Sequence, residues 1–66
     1  MELVKIEKYY YCAIANGKII AHLSKDSTKK WNVYKVVGGK IFPISFGHPD
    51  RRSAYKWFKG YQERRK

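Results

Sequence analysis

The sequence predicts an α+β domain, an antiparallel meander of three to four strands packed on one C-terminal α-helix. Three observations carry this prediction. Asn16-Gly17 and Gly38-Gly39 each separate two β-prone segments, and such dipeptides favour the positive φ values of a tight hairpin turn. Ala54, Trp57, Phe58 and Tyr61 follow the i, i+3, i+4, i+7 spacing of one helical stripe. The 66 residues include six Tyr, three Phe and two Trp, enough apolar bulk for one small, dense core and no second domain.

The first hairpin joins residues 9–15 to residues 18–23. With Asn16-Gly17 as a two-residue loop, Ala15 faces Lys18, Ile14 faces Ile19, Cys12 faces Ala21 and Tyr10 faces Leu23. Facing residues share a side of the sheet. One face then carries Val4, Ile6, Tyr10, Cys12, Ile14, Ile19, Ala21 and Leu23. The other carries Tyr9, Tyr11, Ala13, Lys18, Ile20 and His22. The polar segment 24–30 cannot be core and links to the second hairpin, residues 31–37 and 40–46.

In that hairpin Lys35 pairs with Phe42, Val33 with Ile44 and Trp31 with Phe46. Its apolar face is Trp31, Val33, Phe42, Ile44 and Phe46, and its mixed face is Asn32, Tyr34, Val36, Ile41, Pro43 and Ser45. Lys35 is the misfit on the apolar face; it snorkels at an edge or the register carries a bulge. Pro43 has no N–H to give a ladder, so it belongs on an edge strand or at a bulge. Gly47-His48-Pro49-Asp50 ends the last strand. The helix opens either with Pro49 at its first position or with Asp50 as N-cap. Within the helix, Gly60 costs about 1 kcal/mol relative to Ala and weakens the last turn.

Fifteen Lys and Arg stand against five acids, a formal charge of +10. Residues 51–66 hold seven of the basic side chains and one acid, Glu63, a net +6. Such a balance points to a polyanionic partner rather than to a fold. One cysteine excludes an internal disulfide and fits a reducing compartment. No apolar run approaches the roughly 18 residues a membrane span requires, and the first residues lack the pattern of a signal peptide. A cytoplasmic domain, monomer or weak dimer, without membrane attachment, is expected.

Catalysis finds no support. Glu2, Glu7, Asp26, Asp50 and Glu63 form no recognisable acid–base pair, and so short a chain leaves little room for a cleft. The expected register puts Cys12 and His22 on opposite faces, with Cys12 as a small core residue and His48 as a turn residue. No metal and no cofactor are expected.

Two surfaces remain for a nucleic acid, DNA being favoured over RNA. The first is the basic periphery of Arg51, Arg52, Lys56 and Lys59 with the loop lysines Lys25, Lys29 and Lys30. Neutralising phosphates there releases counterions and gives salt-dependent affinity. The second is the sheet face opposite the helix, on which Tyr9, Tyr11 and Tyr34 lie among Lys18, His22 and Asn32. Strands can enter a DNA groove, and sheet aromatics can stack unpaired bases, which makes an RNA or single-strand binder the alternative. A third reading, from another class, is a small protein that docks on an acidic partner protein through aromatic anchors.

From Lys30 onward, about half the chain, Trp31, Gly39-Lys40, Phe46-Gly47 and Ser53-Ala54-Tyr55 stand in the order early strand Trp, turn, strand end and capped helix. In this the segment resembles the AP2-type DNA-binding domain and the arm-binding domain of tyrosine-type phage and transposon integrases. The resemblance implies that the sheet face opposite the helix enters the major groove, with Tyr34, Asn32, Ser45, Lys18 and Tyr11 as contacts. The strands here carry Lys35 and Lys40 where that family uses arginines to read bases.

Overall fold

The structure is a computed structural model, and it describes residues 1–64. Its elements are β1 (Glu2–Glu7), β2 (Tyr10–Ala15), β3 (Lys18–Lys25), β4 (Trp31–Val37), β5 (Lys40–His48) and α1 (Arg51–Arg64). The strands form one antiparallel sheet in sequential order. The sheet therefore has five strands, not the three to four expected. The extra strand is β1, which turns back through Lys8-Tyr9. That turn contains no Gly, Asn or left-handed residue, so nothing in its composition announces it. Arg65 and Lys66, counted above with the helix, lie outside the described residues.

Both glycine turns form as expected, with Asn16, Gly17, Gly38 and Gly39 all at positive φ. The first hairpin keeps the expected pairs Ala15–Lys18 and Ile14–Ile19, and then Ile20 bulges out of the ladder. Beyond the bulge the partners are Ala13–Ala21, Cys12–His22, Tyr11–Leu23 and Tyr10–Ser24. A one-residue slip exchanges the two faces of a strand. Tyr11 and Ala13 thus join Ala21 and Leu23 beneath the helix, while Tyr10 and Cys12 turn to the other side. The slip sets two alanines side by side in the core with Ala54 and Phe58, and all four are 0% exposed. Small residues there let the helix sit close to the sheet.

The second hairpin behaves alike. Lys35–Phe42 pairs as expected, but Ile44 is extra, Val33 meets Ser45, and Trp31 meets His48. Pro43 lies on the edge strand beside this bulge. Ile44 still packs on the core, whereas Phe46, expected on the covered face, is 63% exposed against Tyr34.

The core is Ala13, Ala21, Leu23, Trp31, Val33, Ala54 and Phe58, flanked by Leu3, Tyr11, Ile20, Ile44, Tyr55, Trp57 and Tyr61. The helical stripe is the one its spacing predicts. Sealing a side chain such as Phe58 contributes about 1.5–3 kcal/mol. Asp50 is the N-cap, its Oδ1 accepting from the Ser53 N–H at 2.7 Å. That bond and the nearby arginines hold its carboxyl below the usual range. Lys35 snorkels, its Nζ donating to the Tyr61 hydroxyl at 3.4 Å.

Candidate nucleic-acid interface

Cross-strand partners share a face, so the register sorts every strand lysine. Lys5 pairs with Tyr11, Lys18 with Ala15, Lys25 with Trp31, Lys35 with Ala21 and Lys40 with Val37. Each of these partners lies on the helix side. Helix α1 adds exposed Arg52, Lys56, Lys59 and Arg64 to the same side. The opposite, open face is crossed by the row Val4, Cys12, His22, Tyr34, Pro43. Around that row lie Ile14, Ile19, Val36, Ile41 and Phe46. Among the described strand residues no Lys or Arg points there; its only charges are Glu2 and Glu7 on β1.

Along α1, Arg52, Lys56, Gly60 and Arg64 follow one i, i+4 ridge. Gly60 notches it. Two shallow depressions flank the notch, one lined by Arg52, Tyr55, Lys56, Lys59, Gly60 and Glu63, the other by His48, Ser53, Lys56, Trp57, Gly60 and Arg64. A Cβ at position 60 would meet only the Arg64 guanidinium, 4.0 Å away. The glycine therefore serves no packing need.

A second group of cations gathers at the end of the sheet where α1 begins. The Lys25 N–H donates to the Tyr9 carbonyl at 3.0 Å, and the Lys25 ammonium stands over the Tyr9 ring at 4.6 Å. The β3–β4 loop at this end is ordered by Asp26. Its carboxylate accepts from the Thr28 N–H and hydroxyl at 2.9 and 2.5 Å, from the Lys30 N–H at 3.3 Å and from Asn32 Nδ2 at 2.9 Å. The Thr28 and Asn32 side chains and these amides hold Asp26 at about 2. Lys29 takes the loop's left-handed position, φ 64°, and Lys29 and Lys30 are exposed.

Of the residues expected to bind, Tyr9, Lys25, Lys29, Lys30, Arg51 and Arg52 thus come to one end of the molecule, and Lys56 and Lys59 continue from it along the helix. Lys18 is at the far end of the sheet. Four expectations are corrected. Tyr11 is not on the open face: its ring lies under Arg51, whose guanidinium is 4.7 Å from the centroid and donates to the hydroxyl at 2.7 Å. The same contact makes Arg51 a pin between helix and sheet. Asn32 is 5% exposed; its Oδ1 accepts from the Gly47 N–H at 3.2 Å and its amide serves Asp26. Lys18 and Ser45 point to the helix side. Tyr34 and His22 keep the open-face position given to them, Asn32 keeps the side but is buried, and the three tyrosines Tyr9, Tyr11 and Tyr34 make no single stacking platform.

Cys12 and His22 share a face, against expectation. The Tyr10 hydroxyl is hydrogen-bonded with His22 Nδ1 at 2.5 Å, Cys12 Sγ is 3.4 Å from the same nitrogen, and the Tyr10 and His22 rings stack at 5.3 Å. Burial lowers the His22 pKa and is the chief cause raising that of Tyr10, so these two side chains are neutral at neutral pH. Cys12 is 2% exposed, which leaves its thiol no open approach for a substrate. Among the described residues no three His, Cys, Asp or Glu side chains converge as a metal centre, and no helix is long and apolar enough to cross a membrane.

The chain matches no family model, no curated protein and no solved structure. Its functional reading therefore rests on its own geometry. The signal that sequence reasoning missed was the side taken by Lys5 and Lys18, which follows from the bulge at Ile20.

Proposed function

We propose that this domain is a non-enzymatic nucleic-acid-binding protein that grips the phosphate backbone of duplex DNA with its helix side. The observation that carries this reading is the collection of the strand lysines and the helix cations on one side of a +10 chain. A polyanion laid there releases counterions at each neutralised phosphate. The exposed ridge of α1 has the width of a helix, which a major groove admits, and the ordered Lys29-Lys30 loop offers a second phosphate contact beside its N-terminus. Groove entry by the open face is disfavoured, because that face presents no cation to the flanking phosphates. Base reading is modest under this geometry, since phosphate contacts position a protein without specifying sequence.

The test is fluorescence anisotropy of labelled duplex DNA, single-stranded DNA and hairpin RNA over a salt series. Duplex should bind most tightly. The double variant Lys56→Glu/Lys59→Glu should lower the log–log salt slope by about 2, near 0.9 per lost phosphate contact. Unchanged duplex affinity in that variant would remove the helix side from the interface. Stronger binding of single strands, lost in Tyr34→Ala, would favour the stacking alternative.

A further inference from the structure

The open face of the sheet is the largest feature that phosphate binding leaves unused. Ile19 is 45%, Ile41 57% and Phe46 63% exposed on it, and Pro43, Tyr34, Val36 and Ile14 fill the space between them. Contiguous apolar area of this kind marks an interaction site rather than ordinary surface. We propose that its occupant is a second copy of this chain, the two sheets packing face to face into a sandwich of two five-stranded layers.

Charge selects the copy. Two chains of +10 repel wherever their cations meet. They can approach only through a surface free of cations, and the register supplies one by turning Lys5, Lys18, Lys25, Lys35 and Lys40 to the other side. An acidic partner would gain nothing from a face stripped of lysines; it would be drawn to the helix side. Area is sufficient. Five strands about 4.8 Å apart, each contributing roughly six residues at about 3.3 Å, span roughly 500 Å² per copy, so a pair buries about 1,000 Å², enough for a reversible dimer. The 31 × 24 × 20 Å extents of one copy accommodate such a face. Sheets so packed lie about 10 Å apart with interdigitated side chains, and Phe46 and Ile41 stand out far enough to interlock.

Sedimentation equilibrium of the full chain tests this, over a concentration series up to about 1 mM and at two salt concentrations. The expected species has twice the 7.8 kDa chain mass, and added salt tightens it by screening repulsion. Ile41→Lys/Phe46→Lys should weaken self-association about 100-fold or more. Phe42→Lys adds one lysine to the same strand but on the helix side, where Phe42 is 47% exposed, and should leave the dimer intact. Circular dichroism melts confirm that each variant is folded. A monomer at every concentration and salt, or a dimer that survives the double variant and yields to Phe42→Lys, would overturn the proposal. Neither result depends on nucleic acid, so this proposal and the phosphate-binding one fail separately.

Discussion

His22 and Leu23 are neighbours on β3 and belong to different surfaces. Leu23 points under α1 and is 0% exposed. His22 points the other way, held by Tyr10 and Cys12. What is true of this pair is true of the two faces. Directly under the helix, apolar side chains are small or fully sealed, and the strand lysines stand around them, Lys35 snorkelling to Tyr61. On the open side, isoleucines and phenylalanine remain half exposed and no cation relieves them. One helix seals the middle of its face of the sheet and leaves Phe42 and Val37 at the margin about half exposed. The cations crowd on the side where their partner is water or phosphate, and the apolar surplus collects on the side without them.

The sharpest way to break this comparison is to truncate one phenylalanine from each face. Phe58→Ala removes the largest sealed side chain and should cost about 3–5 kcal/mol, most of the stability of a domain this size. Phe46→Ala on the open face should cost less than about 1 kcal/mol in the monomer. Urea denaturation of dilute protein measures both, and equal costs would erase the distinction between the faces.

A smaller effect separates polar support from apolar packing. Asn32→Ala strips Asp26 of a donor and orphans the Gly47 N–H, at about 1–3 kcal/mol. The same network sets an acid limb. Asp26 is held at about 2 against an ordinary 3.8. A depressed carboxyl stabilises the folded state above its unfolded pKa, and that contribution fades as pH falls from about 4 toward 2. Melts across this range should show the wild type losing its advantage over Asn32→Ala as the carboxyl protonates. A constant gap down to pH 2 would mean that the amide acts through Gly47 alone.

The smallest change concerns the notch in the basic ridge. Gly60→Ala should raise helix stability by about 1 kcal/mol, since a Cβ there meets nothing closer than 4.0 Å. If it also lowers duplex affinity, the notch belongs to the interface; unchanged affinity confines binding to the flanking cations.

Much of this architecture is legible in the sequence because it is local. Asn16-Gly17 and Gly38-Gly39 declare their turns, and the Ala54–Tyr61 stripe declares which way the helix faces. The bulges at Ile6, Ile20 and Ile44 are not legible, unlike the further shift before His48, where Gly47 takes a positive φ. Each isoleucine is an ordinary β-branched residue, and its exclusion from the ladder is settled by packing, which at Ile20 brings Ala13 and Ala21 into the core with Ala54. That choice reverses the side of every residue beyond it. Counting charges therefore identifies a basic protein, and Arg52, Lys56 and Lys59 follow from the helix pattern alone. The positions of Tyr11, Cys12, Lys5 and Lys18 needed the register.

The order of elements along the chain has a consequence for biosynthesis. Each strand pairs with the one just before it, so the meander can assemble progressively as it leaves the ribosome, with short loops to close and little delay. The helix comes last. Until residue 64 has emerged, the sheet has no cover on either side, and Leu23, Val33 and Trp31 are as bare as Ile41 and Phe46. The nascent domain is most prone to aggregate in that interval, and a stalled chain ending near Gly47 would be a natural client for a chaperone.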